Sequence, residues 1–106
     1  MTGVAAFPSP SLARTPHNQE SHSLAAASYV ADNLQTTLAG LAHHLFGNVE
    51  SRWVNTTFPF THPSYELEIK FGGQWLEVLG CGVVEQRIVN EARGPDKYIG
   101  WAFGLG

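Results

Sequence analysis

With 106 residues, 43% of them hydrophobic and 14% charged, the chain has the size and make-up of one small globular domain with a thin charged coat. A formal net charge of −3 and the lack of any basic block exclude recognition of DNA or RNA by charge alone. No apolar run approaches the about eighteen residues that a membrane span needs, and the single cysteine, Cys81, excludes an internal disulfide and suits a reducing compartment.

Residues 1–20 hold Pro8, Pro10 and Pro16, show no periodicity, and read as a disordered tail or a mis-assigned start. Their serines and low acidity are features of an organellar transit peptide, but Arg14 is their only basic side chain besides His17. The domain is therefore expected over residues 21–106. From Ser23 onward Leu24, Ala27, Ala31, Leu34, Leu38, Leu41 and Leu45 recur at spacings of three and four, one face of an amphipathic helix. Ser21 or Ser23 can cap its start and Gly47 can end it.

Arg52 to Thr57 is rich in β-formers and reads as a strand. Pro59 and Pro63 predict an extended, irregular segment next, since neither can donate to a ladder. Tyr65, Leu67, Ile69 and Phe71 then alternate with Glu66, Glu68 and Lys70, as in a half-buried strand. Gly72-Gly73 signals a hairpin, with Gln74 to Leu79 returning as the partner strand. A short helix is expected from Val83 to Ala92, a turn at Gly94-Pro95-Asp96, and a last strand from Tyr98 to Phe103. The class is α+β: helices flanking an antiparallel sheet of about four strands.

Phe58 and Phe60 flank Pro59. On an extended backbone, rings two residues apart point to one side. They could clasp a third ring edge-to-face, or could be ordinary core. Glu77 sits among Trp75, Leu76, Val78 and Leu79, on the opposite strand face from Leu76 and Val78. It is either a buried carboxylate that needs a partner or part of a solvated outer face. Glu66 and Glu68 share a face and read as solvated. Gly80, Gly82, Gly104 and Gly106 are expected at strand ends, where glycine lets backbone come close to a ligand or turn. Cys81 reads as a small buried residue, because no base is evident to activate it. His43 and His44 are adjacent, so they face apart on a helix and do not form a joint metal site. His62 stands isolated.

Three segments occur in order: Thr57-Phe58-Pro59-Phe60-Thr61-His62-Pro63-Ser64, Trp75-Leu76-Glu77-Val78-Leu79-Gly80-Cys81-Gly82, and Gly100-Trp101-Ala102-Phe103-Gly104-Leu105-Gly106. In this order and spacing they resemble the catalytic domain of the organellar phenylalanyl-tRNA synthetases, which are class II synthetases. The likeness runs from Ser21 to Gly106 and takes in the helix ending Leu41-Ala42-His43-His44-Leu45-Phe46-Gly47. It implies a partial class II core that carries the phenylalanine pocket. Phe58 and Phe60 would be its aromatic walls and Ala102 its end. Phe103 would line the same site, Glu77 would lie at the aminoacyl-adenylate, and Gly104 and Gly106 would open the third class II motif. ATP and Mg2+ are the implied cofactors, phenylalanine and tRNA(Phe) the implied partners, and the mitochondrial matrix or a plastid the implied location.

The same resemblance places the second motif before Ser21, where residues 1–20 do not match it, and the ATP-contacting arginine of the third motif beyond Gly106. This chain alone is therefore expected not to aminoacylate. The alternative is a non-catalytic module of the same fold that binds an aromatic amino acid or pairs with a synthetase subunit.

Overall fold

Apolar residues at helical spacing produce α1, Leu24–Phe46. The structure, a computed structural model, describes residues 13–95 and 98–105; the expectations for residues 1–12, Asp96 and Gly106 lie outside them. The Ser23 hydroxyl accepts from the Ala26 amide at 3.1 Å, and Gly47, at φ 78°, donates to the His43 carbonyl at 2.9 Å. Both ends thus satisfy backbone groups that the helix cannot pair internally. The buried stripe is slightly rotated from the expected one. Val30 and Ala42 join Ala27, Ala31, Leu34 and Leu38, whereas Leu24 and Leu45 stay exposed.

There follow β1 (Ser51–Phe58), β2 (Thr61–Phe71), β3 (Gln74–Val84), α2 (Gln86–Arg93) and β4 (Trp101–Leu105). The strands form one antiparallel sheet in the order β1-β2-β3-β4, so the class is α+β. Gly72 and Gly73 join β2 to β3 at φ 61° and 80°. That pair of left-handed residues is what a two-residue hairpin turn with the twist of the strands requires. Val30, Leu34, Leu38 and Ala42 of α1 pack on Leu67, Leu79, Cys81 and Val83, with Ile99 closing the cluster. Burying each large aliphatic side chain contributes about 1.5–3 kcal/mol. No helix among the described residues is long and apolar enough to cross a membrane.

Several boundaries move, each for a physical reason. β2 begins at Thr61 rather than Tyr65 and passes through Pro63; its register against β3 shifts between Thr61 and Ser64, which carries the ladder around a residue that cannot donate. β3 continues to Val84 because Cys81 and Val83 belong to the core, so α2 starts at Gln86 and not at Val83. Gly80 and Gly82 therefore lie inside a strand, not at its end. β4 starts at Trp101, after an exposed Tyr98 and a buried Ile99.

Residues 13–20 belong to the stretch that reads from sequence as a disordered tail or a mis-assigned start, yet they are held in place. Thr15 and Asn18 are bridged through their backbones at 3.0 and 3.4 Å, and Asn18 and Gln19 are buried. Polar side chains hold this segment, so hydrophobic periodicity carries no trace of it.

Candidate functional site

The sheet face turned away from α1 carries the residues that alternate with the core. On β2 these are Glu66, Glu68 and Lys70, between the buried Leu67 and Ile69. Across it, Arg52 bonds Glu68 at 2.7 Å and lies 4.2 Å over the Trp75 ring. Glu68 is thus ion-paired as well as partly solvated.

On β3 strict alternation would put Glu77 beside Leu79, in the core. It does not lie there. Leu67 pairs with Leu79 but Glu68 pairs with Glu77, which leaves Val78 as an extra residue. This is a β-bulge, and it reverses the facing of the strand beyond it. Val78 packs against the core cluster, while Glu77 joins Gly80 around a cavity on the outer face. The bulge therefore decides between the two readings of Glu77: its carboxylate is exposed at a cavity, not buried. Glu66 lies beside it, and partial burial together with the neighbouring Glu77 carboxylate holds the Glu66 carboxyl above its ordinary range.

That cavity has a volume of about 380 Å³, within the usual range for small-molecule sites. Phe58, Phe60, Glu77, Ala102, Phe103 and Gly104 all line it, together with Pro59, Thr61, Gly80 and Cys81. The structure thus brings together all six residues singled out from sequence. It corrects how the first two get there. Phe58 ends β1, and Pro59 and Phe60 form a tight turn, so the two rings reach the cavity from a chain reversal and not from an extended segment. Phe58 is half-buried, whereas Phe60 is 64% exposed.

Ala102 pairs with Gly82 and Gly104 with Gly80 across β3 and β4. A β-carbon added at Gly104 would meet nothing within 4 Å, so packing within this chain does not demand glycine there. Phe103 falls on the alternate face. It pairs with Cys81 and lies 6.3 Å from the Trp101 ring, which packs against the core. It borders the cavity from behind the floor that Ala102 and Gly104 make.

Gly80 and Gly82 have a role that was not legible beforehand. A β-carbon at Gly80 would sit 2.7 Å from the Cζ atom of Phe58, and one at Gly82 would sit 2.6 Å from Thr61 Cβ and 2.8 Å from the Pro63 carbonyl oxygen. The two glycines seat the wall of the cavity rather than a ligand. The Gly-Cys-Gly spacing inside an apolar run was the available signal, since strand glycines mark close approach of another group.

Cys81 is 3% exposed, and burial pushes its thiol up to about 12. It is an inert core residue. Folding removes this proton-loss route, so Cys81 contributes stability that is complete below the unfolded-state pKa near 9.0 and fades as pH rises towards about 12. Cys81→Ala should therefore show a shallower alkaline loss of stability than the parent in denaturant melts taken from pH 8 to 11. The parent thiol should react with a disulfide reagent only on unfolding. His43 and His44 are exposed. His62 is not isolated, because its Nε2 bonds the Thr15 carbonyl at 2.6 Å. Among the described residues no three His, Cys, Asp or Glu side chains gather as a metal-binding group.

Residues 15–106 match the family described as tRNA synthetases class II core domain (F). The mitochondrial phenylalanine-tRNA ligase of Mus musculus is 56% identical over 94 residues, 88% of this chain and 21% of that protein. The chloroplastic/mitochondrial phenylalanine-tRNA ligase of Arabidopsis thaliana is 60% identical over 78 residues, 74% of this chain and 18% of that protein. The phenylalanine-tRNA ligase alpha subunit of Prochlorococcus marinus is 40% identical over 75 residues, 70% of this chain and 22% of that protein. The chain thus spans about a fifth of the length of the curated relatives it matches.

Proposed function

The chain belongs to the family of class II tRNA synthetase core domains, and from that premise we propose that it forms the phenylalanine pocket of a mitochondrial phenylalanine-tRNA ligase, working in the matrix. The observation that carries the proposal is the meeting of three separate segments around one cavity: aromatic walls at Phe58 and Phe60, a floor of Ala102 and Gly104, and a carboxylate at Glu77. A phenylalanine ring between Phe58 and Phe60 gains about 0.5–1.5 kcal/mol per edge-to-face contact beyond its area burial. Ala102 limits how far that ring can enter. Glu77 supplies a negative charge at the edge of an otherwise mainly apolar cavity, suited to the positive α-ammonium end of the amino acid.

In the whole ligase, activation would use ATP and Mg2+ before transfer to tRNA(Phe). Mg2+ takes one or two carboxylates together with substrate phosphates; of the three carboxylates grouped here, Glu77 is set toward the amino acid and Glu68 is paired with Arg52, which leaves Glu66 as the one that would hold the metal. Burial first, and the neighbouring Glu77 carboxylate second, hold the Glu66 carboxyl above its ordinary range, and a bound cation would lower it. When bound, the metal would neutralise charge on the phosphates during transfer. No Arg or Lys lines the cavity among the described residues, so this chain's part is to bind and orient the amino acid.

Isothermal titration of the folded chain with phenylalanine, with tyrosine as control, tests the reading. Saturable binding selective for phenylalanine is expected. Equal binding of tyrosine, or none of phenylalanine, would overturn it.

A further inference from the structure

We propose that Gln19 is a positioning residue that sets the Phe60 wall of the cavity from outside the site. It deepens the phenylalanine-pocket reading and rests on it for the identity of the ligand. The segment from Arg14 to His22 lies as a strap across the start of β2, the end of β3 and the start of α2, and Gln19 is its anchor. Only 2% of Gln19 is exposed. Its amide nitrogen donates to the carbonyls of His62 at 2.7 Å and Val84 at 3.0 Å, with a longer bond to Val83 at 3.4 Å. Its side-chain oxygen accepts from the Gln86 amide at 2.8 Å. One side chain therefore satisfies both strand ends and the otherwise uncapped start of α2.

These bonds converge on the turn that carries Phe60. The Phe60 carbonyl accepts from the Glu85 amide at 2.9 Å. Two residues on, Gln19 holds the His62 carbonyl, and the His62 ring holds the Thr15 carbonyl of the same strap. Arg14 closes the strap from outside through ion pairs to Glu20, at 2.7 Å, and to Glu85. The Phe60 ring itself is 64% exposed, so neighbouring side chains restrain it little. Its place in the cavity wall depends on its backbone, and that backbone is held by Glu85, just before α2, and, two residues on at His62, by the strap. A displaced wall loosens the fit to an aromatic ring without any change in the residues that touch it.

The test is Gln19→Met, which keeps length and roughly the volume and removes every side-chain hydrogen bond of Gln19. Hydrogen exchange on the chain without ligand is read first, then phenylalanine affinity by titration. Faster exchange over residues 58–64, with exchange in α1 unchanged, is expected, together with about a tenfold or greater loss of phenylalanine affinity. Exchange like that of the parent, an equal rise throughout α1, or local loosening with unaltered affinity would each overturn the proposal. If the parent itself binds no phenylalanine, the pocket reading fails, and the exchange result alone decides whether Gln19 positions Phe60. Should Gln19→Met not fold, Gln19→Asn carries the same two measurements, since it keeps an amide one methylene too short to reach.

Discussion

Gly82→Ala is expected to destabilise the fold by about 1–3 kcal/mol, the usual cost of overpacking. The added methyl group would lie 2.6 Å from Thr61 Cβ and Oγ1 and 2.8 Å from the Pro63 carbonyl oxygen. The last of these is backbone in the neighbouring strand and cannot rotate away. Relief requires β2 and β3 to part where Ser64 pairs with Gly82, next to the turn that carries Phe60. In a domain this small each kcal/mol moves the melting midpoint by about 4–8 °C, so thermal melts will resolve the effect. Gly80→Ala makes a useful contrast. There the nearest atom is Cζ of the Phe58 ring, at 2.7 Å, the end of a side chain that can swing. Its melting temperature should fall less than that of Gly82→Ala, while its phenylalanine affinity falls because the ring is pushed off its seat. A Gly82→Ala chain that melts with the parent would show that β2 and β3 are not paired in this register.

Ala102→Val should cut phenylalanine affinity about ten- to a hundredfold, and Ala102→Gly should admit para-chloro-phenylalanine. Ala102 is exposed on β4, lines the cavity, and pairs with Gly82, which has no side chain to share the space. A valine there projects two further methyl groups into the volume the ligand ring would use, and overfilling a fitted site costs about 1–3 kcal/mol, about five- to 150-fold in affinity, which brackets that range. Ala102→Gly removes one methyl group and deepens the cavity at the position where a para substituent would point. Because the residue faces a cavity and not the core, both variants should melt within a few degrees of the parent. Titration of each variant with phenylalanine and with the para-chloro analogue checks the pair. Unchanged preference in Ala102→Gly would remove Ala102 from the end of the pocket.

Much of this molecule is written locally. The three- and four-residue spacing from Leu24, with Ser23 before it and Gly47 after it, is enough to make α1, because period and caps act within a single turn of chain. Gly72-Gly73 and the alternation from Tyr65 to Phe71 likewise specify the β2–β3 hairpin, and the ordered aromatic and glycine segments carried the family and the candidate residues. Other features depend on partners far along the chain. The bulge at Val78 exists only relative to β2, and it alone turns Glu77 from the core to the cavity. Gly80 and Gly82 become seats for Phe58 and Thr61 only once β1 and β2 lie alongside β3. Residues 14–22 show no hydrophobic pattern because hydrogen bonds such as that from Gln19 to His62, 43 residues away in sequence, hold them in place. The sequence by itself determined α1 and the β2–β3 hairpin, since propensity and periodicity are short-range, while the resemblance of its ordered segments to a family, not periodicity, singled out the residues that the structure places around the cavity. Only the tertiary structure decided which face Glu77 takes and what braces Phe60, since pairing register and buried polar bonds are made between distant segments.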